Sequence, residues 1–251
     1  ICACLVGSEM CIRDSTCCHW KSNFGAVIPL LADSFRVLCV SYDGFDETEQ
    51  TEFSTMIEET QKIEAYLKTH CGGHIRAAYG CSLGGSFVGL LAARRNIHMD
   101  YGILGSSDLD QASPLAAKLQ TDFLLPLIYP VVRDGKIKAK FLQKCLDKCA
   151  KESGDYVKAF LKMFGDARPY VTMQSCKNQF YSDLITPLLD KIHIPGTEIH
   201  IFYALKMGKK YRARYQRHFA HPVLHEQNLQ HEELLACHPG QWAQLVKSIA
   251  L

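Results

Sequence analysis

From Trp20 onward, apolar and polar positions alternate between a strand-like and a helix-like period. Phe35 to Ser41 (FRVLCVS) is an unbroken β-prone run, which predicts a strand buried on both faces. Phe24 to Leu31 reads as a short helix, with Pro29 awkwardly placed in it. Ser54 to His70 carries Met56, Ile57, Ile63, Tyr66 and Leu67 at helical spacing, and Cys71-Gly72-Gly73 supplies a stop. His74 to Tyr79 and Tyr101 to Ser106 predict strands, with a helix from Ser86 to Arg95 between them. Between Ser113 and about Asp190 the texture changes to helices and prolines without a clear strand. Thr197 to Ala204 restores a strand, Val223 to His225 supplies a short last one, and Glu232 to Ile249 a final helix. This alternation predicts an α/β fold, a mostly parallel sheet flanked by helices, carrying a helical insertion.

Composition narrows the picture. The chain has 251 residues, 47% hydrophobic and 22% charged, enough to bury a core without metal or disulfides. Its 28 basic against 26 acidic residues leave a formal charge of +2, which gives no general attraction to nucleic acid or anionic lipid. The longest apolar stretch, Phe123 to Val132, is broken by Pro126 and Pro130 and is too short to span a bilayer. The 12 cysteines show no paired metal-knuckle spacing, and their scatter suits reduced thiols and a cytoplasmic location. Residues 1–15 stand apart. Leu5 to Asp14 (LVGSEMCIRD) resembles a peptide that arises when sequencing-adapter DNA is translated, so this prefix is expected to be non-native.

The chemistry centres on Gly80-Cys81-Ser82-Leu83-Gly84-Gly85, a GxSxG turn directly after a predicted strand and before a predicted helix. Such a turn holds a serine side chain out above a sheet, and small flanking residues tolerate the strained backbone. The Leu83 N–H, at the helix N-terminus, is then placed to meet a developing oxyanion. The plain alternative is a glycine-rich turn with an incidental serine. A dinucleotide site is disfavoured, since it needs GxGxxG where this chain has GCSLGG.

In these residues, and over about 16–251, the chain resembles the α/β-hydrolase superfamily. The resemblance implies a core of up to eight strands, with some early ones missing here, and a serine–acid–histidine triad in that chain order. It also implies a cap domain inserted after the strand that follows the nucleophile helix. The expected division is 16–112 and 191–251 for the core and 113–190 for the cap. No cofactor or metal is implied. The partner implied is a small-molecule ester or thioester, with no nucleic acid and no stable membrane insertion.

A serine hydroxyl needs an adjacent base. Of 11 histidines, His231 fits the position that the resemblance gives to the base, on a loop just before the last helix; His225 and His238 are the rivals. His19, His70, His74 and His98 suit surface or capping roles. Five histidines between His218 and His238 invite a metal reading, but HExxH fails because Leu229 stands where the second histidine should be.

The acid departs from the common pattern, because Tyr203 to Lys210 contains no carboxylate. The other position used in the family, after the strand that follows the nucleophile helix, offers Asp108, with Asp110 as alternative. Asp43 reads as a turn residue and Asp183 as part of the cap. The second oxyanion donor normally follows a His-Gly pair on an early strand; that pair is absent, which leaves Thr16 in its place. Lys209 to His218 mixes bases and aromatics, but helical spacing spreads the charges into a solvated face. Cap residues such as Phe123, Leu124 and Leu127 suit an acyl-chain tunnel and simple packing equally. The expectation is a serine hydrolase working through an acyl-enzyme on Ser82. The alternative is a catalytically silent member that binds an acyl ligand or a partner protein.

Overall fold

The computed structural model describes residues 2–3, 8–13, 16–46, 50–165 and 169–251. Seven strands form one sheet: β1 (Cys2–Ala3), β2 (Ser8–Arg13), β3 (Phe35–Val40), β4 (His74–Cys81), β5 (His98–Gly105), β6 (Glu198–Ala204) and β7 (Val223–Gln227). Their order is β1-β3-β2-β4-β5-β6-β7, and only β1 runs antiparallel to its neighbour. Ser8–Arg13, inside the stretch read as foreign, therefore lies between β3 and β4, with Met10, Cys11 and Ile12 buried.

The helices are α1 (Trp20–Phe24), α2 (Ile28–Leu31), α3 (Met56–Cys71), α4 (Leu83–Arg94), α5 (Pro114–Asp134), α6 (Lys140–Glu152), α7 (Gly154–Lys162), α8 (Met173–Ile185), α9 (Lys209–His218), α10 (Glu233–Cys237) and α11 (Pro239–Ala250). Strand side chains alternate between two faces. Leu38, Val40, Ala78 and Leu104 point to one core, completed by Ile63 and Leu67 of α3 and Phe87 and Leu91 of α4. Val37, Cys39, Ala77, Tyr79 and Ile103 point to the other, closed by Phe24, Leu31, Leu235, Trp242 and Val246. Such sandwiching explains why the strands read as continuous apolar runs.

Local chemistry sets the helix limits. Thr55 caps α3 by accepting from the Glu58 N–H at 3.2 Å, and Gly72 ends it at φ +63°. Pro29 is accommodated in the first turn of α2, where its missing N–H costs no helical bond. The single final helix expected from Glu232 onward is two, because the chain breaks at His238-Pro239.

Four helices, α5 to α8, fill the stretch between β5 and β6. Pro126 and Pro130, expected to interrupt the apolar run, lie inside the 21-residue α5. Each proline removes one ladder N–H, but packing of Ala117, Thr121, Leu125, Val131 and Val132 into protein keeps the helix in place. By length and composition α5 is the one described helix long and apolar enough to cross a membrane. α6 differs, with no buried residue.

Candidate active site

The turn between β4 and α4 places Ser82 at φ +47° and ψ −115°, a conformation that L-residues adopt only under constraint. The constraint is visible. Ser82 N–H donates to the Gly105 carbonyl at 2.8 Å, and its own carbonyl accepts from the Ser107 hydroxyl at 2.8 Å and the Gly85 N–H at 3.0 Å. A Cβ at Gly80 would fall onto the Gly84 carbonyl, and one at Gly85 onto the Ser107 side chain. Those two glycines let helix and strand meet closely enough to form the turn. Ser82 is 8% exposed. Leu83 opens α4, so its N–H lies in the first turn, where the helix itself offers no carbonyl to take it.

The segment after β5 ties this turn to the other expected residues. Ser106 N–H donates to the Phe202 carbonyl at 3.1 Å, and Ser106 Oγ accepts from the Glu232 N–H at 3.0 Å. Gly105-Ser106-Ser107 thus carries hydrogen bonds both to Ser82 and to the residue following His231. Asp108 comes next. Burial pushes its carboxyl above the usual range, Asp110 pushes the same way, and the nearby His231 imidazole pulls it down. Ser82, Asp108 and His231 each follow the C-terminal end of a parallel strand, β4, β5 and β7, and Asp108 lies within electrostatic reach of His231.

Glu232 was not foreseen. It is 3% exposed, takes a left-handed backbone at φ +60°, and its Oε1 lies 3.7 Å from His231 Nε2. Nothing in the string HEELL distinguishes it from a solvated helix-start carboxylate; only tertiary packing buries it. Arg214 and Tyr215 of α9 were read as part of a solvated face. The structure turns them inward: Arg214 donates to the Asp108 carbonyl at 2.8 Å and pairs with Asp110, and Tyr215 donates to the Ser107 carbonyl. Lys209, Lys210, Arg212 and Arg217 do face outward, with Arg217 paired to Asp190 and Arg212 to Glu226, whereas His218 at the helix end is buried.

Asp183, on α8, stands beside Asp108 and Asp110. Burial, then those two carboxylates, push its own well above the usual range. Asp108, Asp110 and Asp183, with Thr16 and with Thr121, Leu124, Phe180 and Leu184 of α5 and α8, line a cavity of about 170 Å³. Thr16 is therefore beside the candidate acid, while Asp14 and Ser15 lie outside the described residues. The rival histidines are placed otherwise. His225 Nε2 sits 2.9 Å from His200 Nδ1, and His238 occupies the break between α10 and α11. His19 caps α1, and His70 Nδ1 lies 3.0 Å from the Tyr66 carbonyl in its own helix. Among the described residues, none of the five histidines from His218 to His238 joins three ligand atoms close enough for one ion.

The architecture is that of the α/β hydrolases. An α/β-hydrolase family protein from Desulfitobacterium hafniense superposes with a TM-score of 0.77 at 16% identity, over 97% of this chain and 96% of that one. A thermophilic esterase from Thermogutta terrifontis gives a TM-score of 0.71 at 18% identity, covering 98% and 90%. The enol-lactonase from Burkholderia xenovorans gives 0.63 at 16% identity, covering 97% and 91%. No protein-family model matches the sequence. No curated protein sequence matches it either.

Proposed function

We propose that this chain is a serine hydrolase cleaving the carboxylic ester or thioester of a small or acyl-chain substrate, with Ser82 as nucleophile. The observation that carries the proposal is the strained Ser82 backbone, held by the same Gly105–Ser107 segment that anchors the residue after His231. Strain of this kind persists only where surrounding bonds over-determine it, and it clusters at sites of chemistry. The solved structures with this fold include an esterase and an enol-lactonase, which fits an acyl substrate.

In the proposed reaction Ser82 Oγ attacks the substrate carbonyl while His231 takes its proton. The Leu83 N–H, with Thr16 in the second donor position, receives the charge that develops on the carbonyl oxygen. His231 then protonates the leaving group, and water, activated by the same histidine, releases the acyl group. Asp108 orients the imidazole and stabilises its charged form. Helices α5 and α8 take the part of the cap over the cavity.

A second reading is favoured by one observation. Asp110 and Asp183 crowd Asp108, and a carboxylate biased toward its protonated form holds an imidazolium less strongly. On that reading the protein is catalytically silent and binds an acyl ligand or a partner protein. A fluorophosphonate probe separates the two. Covalent labelling that vanishes in Ser82→Ala, with turnover of short p-nitrophenyl esters, supports the hydrolase. Ligand binding without labelling or turnover supports the silent protein.

A further inference from the structure

At the opposite edge of the sheet, we infer a binding site for one divalent transition-metal ion, of the zinc class, formed by His74, His98 and Asp100. His74 opens β4 and His98 opens β5, paired directly across the parallel ladder; Asp100 lies two residues on, on the same face as His98. His74 Nε2 is 2.8 Å from Asp100 Oδ1, and His98 Nε2 is 3.5 Å from the same oxygen. One ligand atom from each residue falls within 4.8 Å of the others. Ligands bound tetrahedrally at about 2.0–2.1 Å stand about 3.3 Å apart, so sub-ångström side-chain shifts bring the three onto one ion. A fourth position stays open to water.

The donors are held, not merely close. Arg76 donates to Asp100 Oδ2 at 3.0 Å, which leaves Oδ1 turned toward the two imidazoles. The His98 N–H donates to the Gly73 carbonyl at 2.8 Å, locking the two strand starts together. Gly196 leaves room beside the His98 ring, where a Cβ would already stand in contact at 3.4 Å, and Thr197 fixes that loop through a 2.6 Å bond to the Met99 carbonyl. Orientation of ligands by such neighbours is a recurrent property of metal sites. The side chains of His74 and His98 are 58% and 41% exposed, so an ion enters without unfolding. Two imidazoles and one carboxylate suit zinc, cobalt and nickel rather than calcium or magnesium. Lying at the strand starts, away from Ser82, the ion clamps β4 to β5 and takes no part in acyl chemistry.

Cobalt titration of the whole protein tests this, because the colour reports the ligands. The expected result is one equivalent of Co²⁺ with visible d–d bands and no thiolate-to-cobalt charge-transfer band, even though exposed Cys145 offers a competing thiol. The double variant His74→Ala/His98→Ala is expected to weaken Co²⁺ at least about tenfold. Zn²⁺ is expected to raise the Tm of the wild type by a few degrees and not that of the variant. Where the double variant folds poorly, His98→Gln gives the same comparison at nearly constant volume. No binding at millimolar Co²⁺, a thiolate band, or unchanged affinity in the folded variants overturns the proposal.

Discussion

The two ends of β4 and β5 teach different lessons. At their C-terminal ends the chain passes into positive-φ residues, Ser82 at +47°, Ser106 at +49° and Leu109 at +48°, none of them glycine. Carboxylates gathered there are pushed upward by burial and by neighbouring carboxylates, Asp108 by Asp110 and Asp183 by Asp108 and Asp110. At the N-terminal ends the same two strands start in regular register, His74 opposite His98. The Asp100 carboxyl there is half-buried, which works against its charge, yet hydrogen bonds from His74 and Arg76 hold it below the usual range. One end stores strain and electrostatic cost; the other keeps its charges satisfied. The costly end survives because backbone and hydroxyl bonds from β5, β6 and α9 fix it from several directions.

The largest effect that separates the ends is Ser82→Ala, expected to lower ester turnover by about 10⁴-fold or more, measured with p-nitrophenyl acetate. Asp108→Asn follows, with kcat down by about 10²–10⁴-fold. Glu232→Gln is expected to lower kcat less than about tenfold, since Glu232 approaches Nε2, the nitrogen that has to face the serine. The reverse ranking in steady-state kinetics would move the acid role to Glu232.

Gly80→Ala drives a methyl into the Gly84 carbonyl and is expected to cost about 3 kcal/mol in urea denaturation. Asp183→Asn is expected to stabilise the protein by about 1 kcal/mol near neutral pH. The folded-state pKa of Asp183 lies above its unfolded value, so the folded protein holds that proton more tightly. The carboxylate therefore destabilises the fold above the folded pKa, and acidification relieves the cost. Unfolding curves across pH should show the advantage of asparagine shrinking as the solution is made acidic. The smallest effect belongs to the unstrained end: His74→Ala in metal-free buffer should change stability by less than about 0.5 kcal/mol.

Much of the fold was legible along the chain. Period and end signals marked β3 to β6 and helix α3, because strands covered on both faces must be apolar throughout and a left-handed helix end favours glycine. Boundaries slipped where one residue serves two elements, as at Ser82, which ends the strand's turn and caps α4. The GxSxG turn stood out because its glycines answer a local steric demand, close contact of β4 with α4. His231 and Asp108 were candidates through the chain order that the family resemblance implies, Asp108 because no carboxylate follows β6, where a three-residue 3-10 turn, Leu205–Met207, stands.

By itself, then, the sequence determined the layers and the GxSxG turn, since each depends on near neighbours or on a repeating period; the candidate base and acid came from the chain order that the family resemblance implies. The tertiary structure alone decided that Glu232 is buried, that Arg214 and Tyr215 turn inward to hold Asp108 and Ser107, that Asp183 joins Asp108 across the cavity, and that two strand-start histidines meet one aspartate. Apart from His98 and Asp100, which are neighbours on one face of β5, the paired residues lie 24 to 108 positions apart. Charge and burial at such separations follow from how elements pack, and no local pattern in the chain encodes them.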